Sequence, residues 1–294
     1  MDSEIILQET PASILGTAYW NRLRKQTWER SKHGYRAGID QPFIEFELLP
    51  MKALLVRVGA DQSDGGGKWN GPIDSASNEF AYVPIPETGS IRTGMACPYS
   101  LVGPAVEVFG LSVPNWLDGM NMHLDPDFEH LTYGDQGQRA MQIKQKLGPG
   151  DLLVFYAGLC DVRPQSNLVY ALIGLYVIDG IVPAHSIEPA YSFKNAHTRR
   201  ILSPDATDIV VQARSSTSGR LTRCLPIGSF RPPEHAPQKI RSYRVAPDIL
   251  RTWGGLSVSD GYLQRSARLP EFTNAPQFYA WFQQQNVPLV PRNN

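Results

Sequence analysis

Cysteine is scarce in this sequence. The three cysteines, Cys97, Cys160 and Cys224, lie far apart and form no C-x-x-C pair. A zinc ribbon or a dithiol redox motif is therefore not indicated. An odd number of cysteines fits a reducing compartment, and the N-terminus lacks the basic segment and apolar core of a signal sequence. We therefore expect a cytoplasmic protein.

Long apolar runs and common nucleotide-binding motifs are also missing. The longest apolar run, LVYALIGLYVI at residues 168–178, is too short to span a bilayer and is typical of a buried strand. Lys68 is followed by Trp69, where a Walker A loop needs Ser or Thr. The sequence contains neither G-x-S-x-G nor a G-x-G-x-x-G after a strand, so hydrolase and dinucleotide-binding functions lack support. We expect no membrane partner.

Charge is balanced overall but unevenly distributed. The chain has 28 basic and 28 acidic residues. Between Asp61 and Asp135 there are 11 acidic residues and 2 basic ones, a net charge of −9. Between Arg199 and Arg268 there are 12 basic and 5 acidic residues, a net charge of +7. This asymmetry predicts an acidic site region and a basic surface that binds phosphates, with scattered surface charges as the alternative.

The hydrophobic pattern predicts a mixed α+β fold. Strand character is found at residues 52–59, 78–87, 104–110, 151–159, 168–178 and 208–213. Residues 138–147 and 274–286 have helical spacing, the latter with Asn274 as N-cap. We expect a curved mixed sheet or a small β-barrel, with flanking helices.

The domain prediction separates an N-terminal extension from one main domain. Residues 1–50 are predicted to be the extension, with a basic and aromatic helix at 18–36. That helix either packs its tryptophans or binds nucleic acid or a protein partner. Residues 51–294 are predicted to be a single α+β domain, with a core at 51–230 and a C-terminal helical tail at 240–294.

The stretch LLVRVGADQSDGGGKWNG at residues 54–71 is a candidate phosphate-binding loop. Backbone amides of consecutive glycines, here Gly65 and Gly66, can form an anion-binding nest, and Arg57 and Lys68 add positive charge. A flexible hairpin loop is the alternative. If the glycines serve only access, Gly66→Val should abolish ligand binding at little cost in stability.

The stretch HLDPDFEH at residues 123–130 is a second candidate site. Three acids and two imidazoles lie within eight residues, among them His123, Asp125 and Asp127, and could ligate a metal or perform acid–base chemistry. His123-x-Asp125 with a distant histidine, His185 or His197, and an arginine also matches the loose spacing of the iron-binding facial triad. An Asp-Pro turn with solvated acids is the alternative.

Two polar segments in the basic half are candidate phosphate contacts. Residues 194–200 contain Asn195, His197, Arg199 and Arg200, and residues 213–223 contain Arg214, Arg220 and Arg223 among five hydroxyl side chains. Such side chains bind phosphate oxygens well. A structural histidine and a mobile serine-rich turn are the respective alternatives.

Two resemblances extend these interpretations. GPGDLLVFYAGL followed by LIGLYVID is similar over about 40 residues to barrels of the PUA, ASCH and EVE type, which bind RNA or modified bases. An ordered series of motifs also occurs: Arg57-x-Gly59-x-Asp61, Gly65-Gly66, Pro84-Ile85-Pro86-Glu87, His123-Leu124-Asp125-Pro126-Asp127 and Gly150-Asp151-Leu152. The series resembles, over about residues 51–230, the third of the nucleotide-modification-associated domain families.

That second resemblance implies nucleotide or nucleic-acid modification. The family occurs in bacterial and bacteriophage gene neighbourhoods with enzymes that modify DNA bases. The sequence departs from the family pattern in RSSTSGRLTRCLPIG at 214–228 and in its N-terminal segment. The resemblance favours as site positions Arg57, Asp61, Gly65, Gly66, His123, Asp125 and Asp127.

Three functional hypotheses follow. In the first, the protein is an enzyme that acts on a nucleotide or nucleic-acid base, DNA above all. Asp125 or Asp127 is then the general base or holds a divalent metal, with Asp61 nearby, and His123 is an acid or ligand. In the second, the protein is a non-catalytic reader that grips a modified base with Phe155 and Tyr156. In the third, it is a subunit of a modification complex that docks through residues 18–36.

Overall fold

The strands alternate with short helices and turns along the part of the chain that the structure describes. The computed structural model describes residues 51–163, 168–263 and 268–294. Its strands are β1 Ala53–Arg57, β2 Pro72–Asp74, β3 Glu79–Phe80, β4 Ile85–Pro86, β5 Met122–His123, β6 Thr132–Asp135, β7 Leu152–Asp161, β8 Leu168–Pro183, β9 Ile209–Ala213, β10 Gly219–Pro226, β11 Gly228–Arg231, β12 Ser242–Val245 and β13 Leu289–Val290. Its α-helices are α1 Gly103–Glu107, α2 Gly137–Lys146, α3 Ala196–Arg199, α4 Pro247–Thr252 and α5 Ala275–Gln284. The predicted α+β class is confirmed.

One large mixed sheet organises the fold. The main path runs β13-β10-β8-β7-β2-β3, while β1 pairs with β7 and β9 joins β8 to β6. The central hairpin β7–β8 is antiparallel, and β1 lies parallel to β7 with Ala53 opposite Leu152. Two smaller ribbons, β4–β5 and β11–β12, lie outside this sheet. The described strands do not close into the predicted barrel, because the large sheet keeps open ends at β13 and β3.

The sheet is buried on both faces, which explains its nearly continuous apolar strands. Along β7, Leu153 and Phe155 pack in one hydrophobic cluster, whereas Val154 and Tyr156 pack in another on the opposite face. Phe155 and Tyr156 are both fully buried. The reader hypothesis expected these two rings to grip a base. They cannot do so, because each ring is buried in the hydrophobic core on its own face of the sheet.

Several predicted elements are confirmed. Helix α2 buries Ala140 and Ile143, three residues apart on one face, and ends before the Gly-Pro-Gly turn. Helix α5 is capped by the side chain of Asn274, which accepts from the backbone N–H of Gln277. Both follow from short-range signals, which a sequence shows directly.

Other local predictions are wrong. The stretch at 104–110 forms helix α1 instead of a strand, with Pro104 in its first turn, where the missing N–H of proline costs nothing. The stretch at 78–87 contains only the short strands β3 and β4. Residues 214–228, which we call the Ser/Arg segment, contain strand β10, and this strand pairs with β8 and β13. The expected helical tail also contributes strands, since β12 pairs with β11 and β13 with β10.

The described residues, from Met51 onwards, belong to one compact unit. The predicted basic helix at 18–36 and the extension at 1–50 lie outside the described residues. Among the described residues, no helix has the length and apolarity required to cross a bilayer.

Candidate functional site

The ribbon β4–β5 places His123 beside Glu87. Pairing of Ile85 with His123 aligns the residue after β4 with the end of β5. Glu87 Oε2 lies 2.7 Å from His123 Nδ1. An ionised carboxylate only accepts hydrogen bonds, so Nδ1 carries the proton and Nε2 keeps its lone pair. Glu87 is itself held by Arg200, 2.7 Å away.

A second histidine is oriented in the same manner. His197 lies in the short helix α3, whose cap Asn195 accepts from the His197 backbone N–H at 2.9 Å. His197 Nδ1 lies 2.5 Å from Asp208 Oδ1, immediately before β9. The same reasoning assigns the Nδ1 proton to this bond, so Nε2 is the ring nitrogen of His197 that can ligate.

Asp125 completes a cluster with these two histidines. Its Oδ2 lies 3.9 Å from His123 Nε2 and 3.6 Å from His197 Nε2. Ligand atoms of the three residues all lie within 4.8 Å of one another. Asp125 is positioned by the backbone N–H of Gly134, at 2.8 Å, and by the Asn195 amide, at 3.3 Å. We call these three residues the His–Asp–His cluster.

Burial shifts the pKa values of two residues of the cluster, His123 and Asp125. It lowers the pKa of His123 to about 4, despite the hydrogen bond to Glu87, so this imidazole is neutral at pH 7. Burial raises the pKa of Asp125 to about 7, against the opposing effect of His197. For Glu87 burial alone would raise the pKa, but hydrogen bonds from His123 and Arg200 outweigh it and lower the pKa to about 2. A neutral imidazole oriented by an ionised carboxylate, as His123 is by Glu87, is the form in which histidine binds a metal.

The cluster lies in a hollow of about 300 Å³. This volume is at the lower end of small-molecule sites, about 300–1,000 Å³. Three arginines line it, Arg57, Arg139 and Arg200. Each is held by a carboxylate: Arg57 by Asp61 at 3.2 Å, Arg139 by Asp135 at 3.0 Å and Arg200 by Glu87. The hollow therefore offers a ligand guanidinium hydrogen-bond donors beside the cluster, although each of the three positive charges is already paired with a carboxylate.

The structure brings several predicted site residues together here. Arg57, Gly65, His123, Asp125 and His197 all line the hollow. Asp61 and Asn195 adjoin it through their bonds to Arg57 and Asp125. Of the two candidate histidines for a triad, His197 is in the cluster, whereas His185 is exposed in a separate turn.

Asp127 lies elsewhere, although it is only two residues from Asp125. It is fully buried and accepts from Arg199 at 2.8 Å and from His130 at 3.0 Å, and Asn293 lies 3.2 Å away. Burial alone would raise the pKa of Asp127, but the His130 hydrogen bond and the Arg199 charge hold that pKa below its usual value. These contacts make Asp127 a packing and pairing residue outside the hollow.

The glycine loop does not form an open nest. Residues 64–66 form a helical turn in which the N–H of Gly66 donates to Ser63 and that of Gly67 to Asp64. Lys68 pairs with Asp64 at 2.9 Å. Gly66 is buried, and a Cβ there would lie 1.9 Å from Asp61 Oδ1. The expectation that Gly66 serves only ligand access is wrong, because this glycine makes room for the carboxylate that holds Arg57.

We therefore expect Gly66→Ala to lower the free energy of unfolding by about 1–3 kcal/mol, the usual cost of overpacking. The matched control is Gly65→Ala, since a Cβ at Gly65 meets no atom within 4 Å. Thermal unfolding of both variants provides the measurement. Equal melting temperatures would show that the loop moves aside without cost.

The arginines of the basic half do not share one surface. Arg199 pairs with Asp127 and Arg200 with Glu87. Arg220 is buried, lies over the Phe80 ring and donates to backbone carbonyls, and burial lowers its pKa to about 10. Arg214 is half exposed near Asp179. Two of these arginines are therefore paired with carboxylates and a third is buried, so the net charge counted along the chain overstates the positive charge of the surface.

Sequence reasoning missed Glu87 and Asp208, which orient the two histidines, and Arg139, which lines the hollow. Glu87 ends the motif Pro84-Ile85-Pro86-Glu87, so it was visible but had no assigned partner. Asp208 is the first residue of the predicted strand at 208–213 and carries no signal of its own. The pairing of Glu87 with His123 and that of Asp208 with His197 are tertiary contacts, which the sequence alone does not show.

The fold and the site define an α+β protein with a buried pair of histidines and an aspartate in a small arginine-lined hollow. The family model of nucleotide modification associated domain 3 matches residues 52–273. The chain belongs to this family. The match extends through the Ser/Arg segment at 214–228, which the sequence alone suggested as a departure. Comparisons with curated proteins and with solved structures gave no match.

Proposed function

We propose that this protein is a metal-dependent enzyme that modifies a nucleotide or a base of nucleic acid, with His123, Asp125 and His197 as the metal ligands. The observation that carries the proposal is the His–Asp–His cluster, in which two Nε2 lone pairs and a carboxylate converge within 4.8 Å. Membership of the nucleotide modification family supports the substrate class.

The surroundings of the cluster fit a metal better than a purely structural role. Each histidine donates its Nδ1 proton to a buried carboxylate, the arrangement that fixes ligating imidazoles and raises their basicity. Two histidines and one carboxylate leave coordination positions open, as in non-haem iron(II) enzymes, and similar donor sets occur in catalytic zinc sites. A bound divalent ion would supply Lewis-acid or redox chemistry at this point.

The residues of the hollow have separate tasks. Arg57, Arg139 and Arg200 provide donors for the polar edges or phosphate of the substrate. Tyr133, whose hydroxyl donates to Asp135 at 2.5 Å, fixes the wall that carries Arg139. The hollow has room for one base but not for a stacked duplex, so a base in a polymer must leave its stack to reach the cluster.

The test combines metal content with nucleoside analysis. We expect wild-type protein, reconstituted with iron(II) or zinc(II) and desalted, to retain about one equivalent of one of them, and His197→Ala to retain little. DNA from cells that express the wild-type chain should contain a nucleoside that is absent with His197→Ala, detected by mass spectrometry. Failure to retain either metal would refute the metal assignment.

A reader of modified bases would give a different result. It would retain modified DNA selectively without producing a new nucleoside, and His197→Ala would not change that retention. The same samples therefore separate the enzyme from the reader.

A further inference from the structure

A second, larger hollow of about 770 Å³ lies next to the site. Its walls come from the ribbon β11–β12, from Tyr170 of β8 and from residues 258–263. Phe230 and Tyr243 are directly opposite each other across the ribbon. Their rings lie 5.1 Å apart, and Tyr243 lies 4.5 Å from Tyr170, so three aromatic rings form a continuous series. We call this hollow the aromatic groove.

Arginines are interleaved with these rings. The guanidinium of Arg57 lies 5.2 Å from the centre of the Tyr170 ring, Arg241 lies 5.1 Å from Phe230, and Arg244 lies 4.9 Å from Tyr262. Phe230 is 47% exposed and Arg241 is exposed, so at least part of this surface is accessible. Rings and planar cations in alternation are the surface on which bases stack and phosphates pair in single-stranded nucleic-acid sites.

The charge of the groove is positive. No carboxylate lines it among the described residues, while three arginines do. Asp61 pairs with Arg57, and Asp260 is shared between Arg231 at 2.7 Å and Arg244 at 3.6 Å. Two carboxylates, Asp61 and Asp260, therefore stand against four arginines, which leaves an excess of two positive charges. The four are Arg57, Arg231, Arg241 and Arg244. Arg244 Nε and Ser242 Oγ are buried and have no hydrogen-bond partner among the described residues.

The groove and the candidate site adjoin each other. Arg57, the last residue of β1, lines both hollows. Tyr133 of the site packs with one core cluster and Tyr170 of the groove with the other, so the two hollows belong to opposite faces of the sheet and meet where β1 ends. Arg57 is therefore a wall residue common to both hollows.

We propose that the aromatic groove binds the nucleotides next to the one held at the His–Asp–His cluster, so that the substrate is a single-stranded or locally opened polynucleotide and not a free nucleotide. This inference rests on the proposed function for the role of the cluster. Bases stack on Tyr243 and Phe230, and Arg241 and Arg244 pair with phosphates. Stacking is tolerant of sequence, so the groove holds the strand while the hollow at the cluster selects the base.

The experiment measures binding of a fluorescein-labelled 12-nucleotide single-stranded DNA to the full chain by anisotropy. We expect Tyr243→Ala to weaken binding about 5- to 150-fold, which corresponds to the loss of one stacked base at about 1–3 kcal/mol. Tyr243→Phe should bind like the wild type. Arg241→Ala should flatten the log–log dependence on salt by about 0.7. Unlabelled mononucleotides should compete poorly.

The control pair is Tyr191→Ala and Lys194→Ala. Lys194 lies 4.6 Å from the centre of the Tyr191 ring, so these residues form a comparable cation–aromatic pair on a different hollow. Binding by both controls should match the wild type, with melting temperatures confirming the fold of every variant. If Tyr243→Ala and Arg241→Ala bind as well as the wild type, or if a mononucleotide competes equally, the groove proposal is refuted.

These outcomes are independent of the test of the proposed function. His197→Ala should lose metal and still bind the single strand. If the wild-type protein retains metal but does not bind the single strand, only the groove proposal is refuted. If the wild-type protein binds the strand but retains no metal, the enzyme proposal is refuted and the groove proposal stands.

Discussion

Asp125→Asn is expected to remove most of the bound metal, while Asp127→Asn is expected to leave metal binding intact. Loss of a residue that merely orients a ligand lowers metal affinity about 10- to 100-fold, and loss of a direct ligand should cost no less. Asp125 provides the only carboxylate oxygen of the described three-residue cluster. The measurement is metal retained after reconstitution and desalting, by emission spectrometry.

The free energy of unfolding should respond in the opposite order, because Asp127→Asn should lower it and Asp125→Asn should not. Asp127 is fully buried against Arg199 and His130, so its neutralisation leaves a buried cation without its partner, at a cost of about 3–5 kcal/mol. Asp125 is also buried, but its pKa is raised to about 7, which means that the fold disfavours its charge. The metal-free Asp125→Asn protein should therefore be at least as stable as the metal-free wild type at pH 8.

The stability effect at Asp127 should depend on pH with a defined sign. Its pKa in the folded protein lies below the usual value, so the ionised form is favoured by folding. The stabilisation is therefore present above the unfolded pKa of about 4 and is lost as the pH falls further. Melting temperatures of wild type and Asp127→Asn should differ at pH 7 and converge in acid. A difference that persists at low pH would indicate a packing defect instead of a lost charge.

The two aspartates show how far sequence reasoning reaches. His123-x-Asp125 was recognisable as half of a ligand set, because the pattern is local and the donor types are specific. The third ligand required a choice between two histidines more than 60 residues away, and the contact of α3 with β6 made that choice. Asp125 and Asp127 are equivalent in sequence, but the fold directs one to the hollow and the other to Arg199.

The fold was predictable to a similar extent. Strands β7 and β8 were evident because both faces of the sheet are buried, which produces long apolar runs, and helices α2 and α5 were evident from spacing and capping. The barrel prediction failed because closure depends on which strands form edges, and the polar segment that became β10 had no strand signal. Its pairing with β8 and β13 is stabilised by neighbours in space, which tertiary context supplies and local propensity does not.

Gly134→Ala is expected to disable the site without replacing any of the proposed ligands. Gly134 lies in β6, opposite Val210 of β9, and its N–H binds Asp125. A Cβ at this position would lie 2.2 Å from His197 Cδ2 and 2.7 Å from Asn195 Oδ1. Such a separation is far inside van der Waals contact, so the His197 ring or strand β6 must move. The added methyl should cost about 1–3 kcal/mol of stability and should displace His197 Nε2 from its position beside Asp125.

The readouts are metal retention and thermal unfolding, and a double variant identifies the cause. If the clash with the imidazole is responsible, adding His197→Ala to Gly134→Ala should restore part of the lost stability, giving a non-additive cycle, while metal binding stays lost. Contact with Asn195 remains in the double variant, so recovery should be incomplete. The matched control is Gly148→Ala, where a Cβ meets no atom within 4 Å, and it should retain metal and stability. Full metal retention by Gly134→Ala would mean that His197 can shift and still ligate, and the role of this glycine in positioning the cluster would be wrong.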